Sequence, residues 1–198
     1  MRTLVVLAFL AAAATARADD WAAPTTKYVK SDSGRYRAVV VPGESGGKKH
    51  AGSVTLFDDK DAVHPKKLYQ RKLVNEVAPV QILVADGGQL VTIDEWSHAG
   101  FAHSIVLYDK KGKVVVDCAL EQVLMPEEMK SVDESESSRW WRAKEQPVWL
   151  EEGALFIKSA WGPVLRFDLA SGAQTRDGRR VLINGSDRCR AKKTSGKK

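Results

Sequence analysis

The densest group of side chains that could perform chemistry lies within ten consecutive residues, 94–103, with the sequence DEWSHAGFAH. Two carboxylates and two imidazoles are ligand types that zinc and other divalent metals use. The spacing matches no established zinc motif such as HExxH, so only a folded loop could bring these groups together. One interpretation is therefore a metal site, and the other is a loop with hydrogen-bonding histidines packed over Trp96. The candidate metal ligands are Asp94, Glu95, His98 and His103.

A second candidate region is the sequence RWWR at positions 139–142. Indole faces bind sugars and cations, so adjacent tryptophans flanked by arginines could form a ligand platform. The alternative is that the tryptophans cover the end of the core, with the arginine stems lying over them. The candidate ligand-binding residues are Trp96, Arg139, Trp140 and Trp141.

Motifs for nucleotide binding are missing from the sequence, which contains no Walker loop and no GxGxxG fingerprint. The spacing GxSxG occurs at 43–47 (GESGG), but in a glycine-rich stretch that we expect to be a flexible hairpin loop and not the strand-to-helix elbow of a nucleophile. Cys118 follows an apolar strand pattern without a charged helix start that would lower the pKa of its thiol. We therefore assign no catalytic residue, favour a non-enzymatic protein, and expect no cofactor other than the divalent metal considered above.

The first 18 residues, MRTLVVLAFLAAAATARA, have the organisation of a signal peptide. Arg2 provides a positive start, an apolar stretch follows, and Ala16 to Ala18 form a small-x-small cleavage site. The apolar stretch is about 11 residues, whereas a bilayer-spanning helix needs about 20. The sequence predicts a secreted or periplasmic protein that is cleaved near Ala18 and has no transmembrane segment.

The charge of the chain is concentrated at its ends. The formal net charge is +6, but two of the 31 Lys and Arg residues lie in 1–18 and six lie in 188–198. All 25 acidic residues lie between these segments, so residues 19–187 carry 23 bases and 25 acids, a net charge of −2. This distribution argues against specific nucleic-acid binding by the body. The basic tail at 188–198 could bind an anionic polymer or be a solvated, disordered end.

The chain contains two cysteines, Cys118 and Cys189. In an oxidising compartment they could form one disulfide that fixes the C-terminal segment to the body. A free buried thiol at Cys118 is the alternative.

Strand signals dominate the chain between its two ends. Runs of β-branched and aromatic residues alternate with short turns rich in Asp, Glu, Ser and Gly, a composition typical of hairpins. Three runs end in an aromatic residue followed by aspartate, at 54–58 (VTLFD), 105–109 (IVLYD) and 164–168 (VLRFD). We therefore predict an all-β fold of antiparallel sheets, built from three degenerate units with four strands each.

The three units resemble blades of a β-propeller of the WD40-like or quinoprotein-like type. In those families the third strand often ends in an aromatic residue and aspartate, and a glycine-bearing turn leads to the fourth strand. The resemblance implies propeller-like or partial-propeller blades. Three blades are fewer than the four that usually close a ring, so an open stack, a ring closed by a second copy and a β-sandwich remain alternatives.

One segment interrupts the strand pattern and predicts a short helix near 121–130. An acidic, serine-rich loop is expected at 131–138. We expect residues 19–187 to form one β domain, with repeat units at about 29–75, 79–124 and 147–182.

The predicted function is the binding of a partner or ligand, of unidentified class, through the loops between strands, because loops on a rigid β scaffold carry binding residues. The alternative is a metal-binding protein or metal-dependent hydrolase that uses the loop at 94–103. Unpaired edge strands would in addition favour a homo-oligomer.

Overall fold

The regular structure of the chain is almost entirely antiparallel β. The computed structural model describes residues 21–43, 50–176 and 179–180. Within these ranges the strands form four antiparallel sheets, which confirms the predicted all-β fold class. The predicted leader (1–18) and basic tail (188–198) lie outside the described residues.

The strands follow one another along the chain as antiparallel meanders. The first sheet contains β1 (Lys27–Lys30), β2 (Tyr36–Val41), β3 (Ser53–Asp58) and β4 (Lys66–Lys72). The middle sheet contains β5 (Pro79–Val84), β6 (Leu90–Glu95), β7 (Ile105–Tyr108) and β8 (Val114–Cys118). A small sheet pairs β9 (Asp133–Glu134) with β10 (Arg139–Trp140). The last sheet contains β11 (Val148–Glu151), β12 (Ala154–Lys158), β13 (Val164–Asp168), β14 (Gln174–Arg176) and β15 (Arg179–Arg180).

The predicted short helix near 121–130 consists of two separate turns, a 3-10 turn at Leu120–Gln122 and the helical turn α1 at Pro126–Met129. Proline at the first position of α1 fits there because that residue needs no N–H donor. The region predicted as a loop at 131–138 instead contains β9 and a tight turn. In that turn the Ser135 N–H donates to the Ser138 carbonyl at 2.7 Å.

The three large sheets are stacked face to face with two apolar layers between them. The layer between the first and middle sheets contains Ala38, Val40, Val54, Leu56, Ile82, Val84, Leu90, Val106 and Tyr108. The layer between the middle and last sheets contains Val91, Ile93, Ile105, Leu107, Leu155, Ile157, Leu165 and Phe167. Among the described residues, the middle sheet is therefore covered by a sheet on both of its faces, and each outer sheet on one face.

The burial of each sheet follows from the sequence of its strands. Every residue of β6 (LVTIDE) and β7 (IVLY) is buried, and neither strand alternates between apolar and charged residues. By contrast, β4 (KKLYQRK) is the exposed edge of the first sheet and carries four cations. A continuous apolar strand is typical of a sheet buried on both faces, and lysines on an edge strand discourage pairing with another chain.

The aromatic residue before each aspartate occupies the same place in all three sheets. Tyr108 and Phe167 have no exposed surface, and each packs against the sheet that precedes it in the chain. Phe57 holds this position in the first sheet, where no described sheet precedes it. Its ring is instead covered by the Arg37 guanidinium, with Cζ 4.5 Å from the ring centroid.

Candidate functional site

The buried carboxylate of Asp94 accepts hydrogen bonds from two separate segments of the chain. Its Oδ1 accepts the Gly100 N–H at 3.0 Å and the Trp141 indole N–H at 3.1 Å. Its Oδ2 accepts from the Arg142 guanidinium at 2.8 Å, and Arg142 also donates to the Gln81 side chain at 2.9 Å. Burial raises the pKa of Asp94, and these donors act in the opposite direction. Asp94 therefore fastens the loop at 94–103 to the connection that leads into the last sheet.

The neighbouring carboxylate, Glu95, is also occupied by the protein itself. Its two oxygens accept the backbone N–H groups of Glu76, Val77 and Ala78 at 3.0, 3.1 and 3.3 Å. These donors belong to the connection between the first and middle sheets. The backbone N–H groups of this connection lie outside the strands, and the Glu95 carboxylate supplies their hydrogen-bond acceptors.

The two histidines of the loop have separate environments. His98 is exposed, and its Nδ1 lies 3.3 Å from the Ser97 hydroxyl. His103 is half-buried, and its Nδ1 lies 2.7 Å from the Asp117 carboxylate of β8. This hydrogen bond raises the pKa of His103 above its ordinary value.

The structure does not bring the four candidate metal ligands together. In the described ranges, no three His, Cys, Asp or Glu side chains are placed to hold a metal ion. The physical reason is that both carboxylates already accept several hydrogen bonds from the protein and the histidines point to different partners. The loop therefore has the hydrogen-bonded arrangement, and the structure corrects the metal-site interpretation for Asp94, Glu95, His98 and His103.

Trp96 anchors the N-terminal segment of the described chain. The Trp21 ring meets it edge to face at 5.0 Å between centroids, and the Lys27 ammonium lies 5.6 Å from its ring centroid. The Trp21 indole N–H donates to the Ser137 hydroxyl at 3.1 Å. The predicted ligand-binding ring of Trp96 is thus half-buried under other parts of the same chain.

The three predicted ligand-binding residues at positions 139–141 have different environments in the structure. Trp141 is only 1% exposed and belongs to the core, which corrects its assignment as a ligand platform. Arg139 forms ion pairs with Glu121 and Glu134 and covers the Phe101 ring. Trp140 is 52% exposed, so it is the one member of this trio with a largely open ring.

The predicted disulfide involves one described residue. Cys118 lies at the end of β8 and is fully buried. Cys189 lies outside the described residues, so the Cys118–Cys189 bridge stays a prediction.

The three large sheets converge on a cleft that the sequence patterns did not reveal. A cavity of about 290 Å³ lies between the first strands of the three sheets, and one of about 340 Å³ continues it toward the hairpin turns that follow these strands. The two cavities share Asp32, Val84 and Leu150, and together they are called the central cleft. The apolar wall of the central cleft consists of Val29, Ile82, Leu83, Val84, Val148, Trp149 and Leu150.

The rim of the central cleft is acidic. The turn-side cavity is lined by the exposed carboxylates of Asp32, Asp86, Glu151 and Glu152. Asp86 accepts the Ser33 N–H at 2.9 Å and the Ser33 hydroxyl at 2.5 Å, which lowers the pKa of Asp86 and connects two of the turns. Of the residues that line the two cavities, Lys30 is the one cation.

The sequence contains one signal for this rim, in the composition of its turns. The turns Asp86-Gly87-Gly88 and Glu151-Glu152-Gly153 each combine a carboxylate with glycine. Because every meander begins with the same hairpin, stacking of the sheets places these turns at one end of the cleft. Recurrent acidic residues in equivalent turns of a repeat could therefore have indicated a shared acidic surface.

Comparison with protein-family models, with curated proteins and with solved structures finds no match to this chain. Among the described residues, no helix has the length and apolar character required to cross a membrane.

Proposed function

We propose that this chain is an exported, non-enzymatic β-repeat protein that binds a ligand in the central cleft. The observation that carries this proposal is that strands from all three large sheets line one cleft with an apolar wall. The predicted leader at 1–18 supports export, and the hairpin turns at the rim are the inter-strand loops that would contact the ligand.

Part of the wall of the central cleft packs against the hydrophobic core. Leu83, Val148 and Leu150 are partly buried and pack against the core layer between the middle and last sheets. A cleft backed by a packed core keeps its shape without ligand, and apolar clefts with a few polar groups at the mouth are typical of small-molecule sites.

The electrostatics of the rim support binding in preference to acid–base catalysis. A carboxyl group that acts as a general acid near neutral pH needs burial to raise its pKa. The four rim carboxylates are exposed, and the pKa of Asp86 is lowered by its hydrogen bonds to Ser33. The rim therefore presents negative charge to a ligand.

A variant whose cleft is filled by a larger side chain tests the proposed binding site. In a heteronuclear NMR titration of the isotope-labelled protein with octan-1-ol, we expect concentration-dependent shifts at cleft residues such as Leu83 and Leu150. Gly87 is exposed on the rim, and a Cβ there would meet only the flexible Gln89 side chain, so Gly87→Phe should fill the mouth without disturbing the core. The expected result is loss of these shifts.

Ala102→Phe is the matched control, because Ala102 is exposed in the loop between β6 and β7 and does not line the central cleft. It should leave the octan-1-ol shifts unchanged. Shifts that persist in Gly87→Phe, or that occur away from the cleft in the unmodified protein, would refute the cleft as the binding site.

Export is tested separately by mass spectrometry. The full chain is expressed in a host that processes signal peptides, and we expect the recovered extracellular or periplasmic protein to begin at Asp19. An intracellular protein that retains residues 1–18 would contradict this part of the proposal.

A further inference from the structure

We infer that the ligand of the central cleft is a small amphipathic cation, an apolar chain that ends in an ammonium or guanidinium group. This inference rests on the proposed function and specifies the ligand class of the same site.

The two cavities of the cleft are lined by residues of different chemistry. The cavity between strands β1, β5 and β11 is lined mainly by apolar residues, with Lys30 and Asp32 as the charged ones. The cavity among the hairpin turns is lined by the four rim carboxylates. A ligand that fills both cavities must therefore be apolar at one end and complementary to negative charge at the other.

No arginine or lysine of the described residues forms an ion pair with the rim carboxylates. In the described part of the chain, the arginines that form ion pairs use other carboxylates, such as Asp58, Asp59 and Asp94. Glu151 accepts only a neutral indole N–H, from Trp149 at 3.3 Å, and the donors to Asp86 come from Ser33. The rim thus keeps a charge that a cationic ligand would complement.

The charges that line the cleft disfavour an anionic ligand. Lys30 is the one cation among the lining residues, and it is exposed beside the apolar part of the cleft. One ammonium against four carboxylates leaves a negative potential at the mouth, which repels an anionic head group and attracts a cationic one. A neutral chain would gain only the apolar contacts.

The experiment compares three probes of the same chain length, octylammonium, octan-1-ol and octanoate, by NMR titration at low ionic strength. We expect octylammonium to bind about tenfold more tightly than octan-1-ol, which is the effect of about two or three exposed ion pairs on the binding constant. Octanoate should bind most weakly. The preference should shrink in high salt because exposed charges are screened.

Charge-neutralised variants identify the source of this preference. Glu151→Gln combined with Glu152→Gln should reduce the octylammonium preference to about threefold or less, with octan-1-ol binding unchanged. Glu127→Gln combined with Glu136→Gln changes the net charge equally at exposed positions that do not line the cleft, and should preserve the preference.

The outcomes separate this inference from the proposed function. Equal binding of octylammonium and octan-1-ol at the cleft, or tighter binding of octanoate, overturns the ligand class and leaves the cleft as a binding site. If none of the three probes shifts cleft residues, the proposed function fails together with the inference. Octylammonium shifts located away from the cleft would also overturn the inference.

Discussion

Asp94 and Trp141 lie 47 positions apart in the chain and are joined by a 3.1 Å hydrogen bond from the indole N–H to the carboxylate. Glycine at position 100 allows the two segments to pack closely here, because a Cβ at this position would lie only 2.7 Å from the Cβ of Arg139. The loop at 94–103 and the strand that precedes Trp141 therefore pack at backbone distance. The two segments that most resembled functional sites in the sequence form one structural unit.

The first prediction concerns this buried hydrogen bond. Trp141→Phe keeps an aromatic ring in the core but removes the N–H donor, and should lower the free energy of unfolding by about 1–3 kcal/mol. Asp94→Ala should lower it by about 3–5 kcal/mol, because it leaves the Arg142 guanidinium without its buried partner. Urea denaturation measures both changes. Trp140→Phe, at the exposed neighbour, should stay within about 0.5 kcal/mol, and a similar loss there would contradict the assignment.

The second prediction concerns the pH dependence of the His103–Asp117 pair. The pKa of His103 is raised above its ordinary value of 6.5 by the hydrogen bond to Asp117. A raised folded-state pKa means that the pair stabilises the fold fully below about pH 6.5, and that this contribution is lost as the pH rises through the folded-state pKa of His103. Thermal unfolding across this range measures the change. In Asp117→Asn the pH dependence should be weaker, and an identical profile would refute the role of the pair.

The third prediction concerns the face of the last sheet that no other described sheet covers. In this sheet, Arg166 of β13 lies opposite Phe156 of β12. The corresponding pairs in the other two sheets consist of buried apolar residues, Leu107–Val91 in the middle sheet and Leu56–Ala38 in the first sheet. A charged residue therefore replaces leucine where the stack ends.

We expect Arg166→Leu to increase self-association, because it enlarges the exposed apolar surface around Phe156. Sedimentation velocity measures the change over a range of protein concentrations. Arg166→Lys keeps the charge and should sediment as the unmodified protein does. Unchanged sedimentation of Arg166→Leu would show that this face does not control association.

The fourth prediction concerns the proposed Cys118–Cys189 disulfide. The exported protein, denatured without reductant, should show no titratable thiol, and two thiols after reduction. The loop that such a bridge closes is long, so the pair of substitutions Cys118→Ala and Cys189→Ser should lower stability by about 4 kcal/mol in the chain-entropy model. Two free thiols before reduction would contradict the bridge.

The sequence by itself determined the antiparallel hairpins of the three large sheets, because hairpins depend on local chemistry. The aromatic residue and aspartate at the ends of β3, β7 and β13 and the glycine-bearing turns predicted antiparallel hairpins, and the sheets contain them.

Only the tertiary structure decided which polar residues are available to a ligand. Asp94 and Glu95 looked like metal ligands, but distant segments supply the donors that occupy them, and no spacing along the chain encodes those contacts. In the same way, Trp141 became a core residue and Trp140 stayed exposed. The central cleft exists because three hairpins far apart in sequence are brought together by the stacking of their sheets, and each hairpin alone is an ordinary turn.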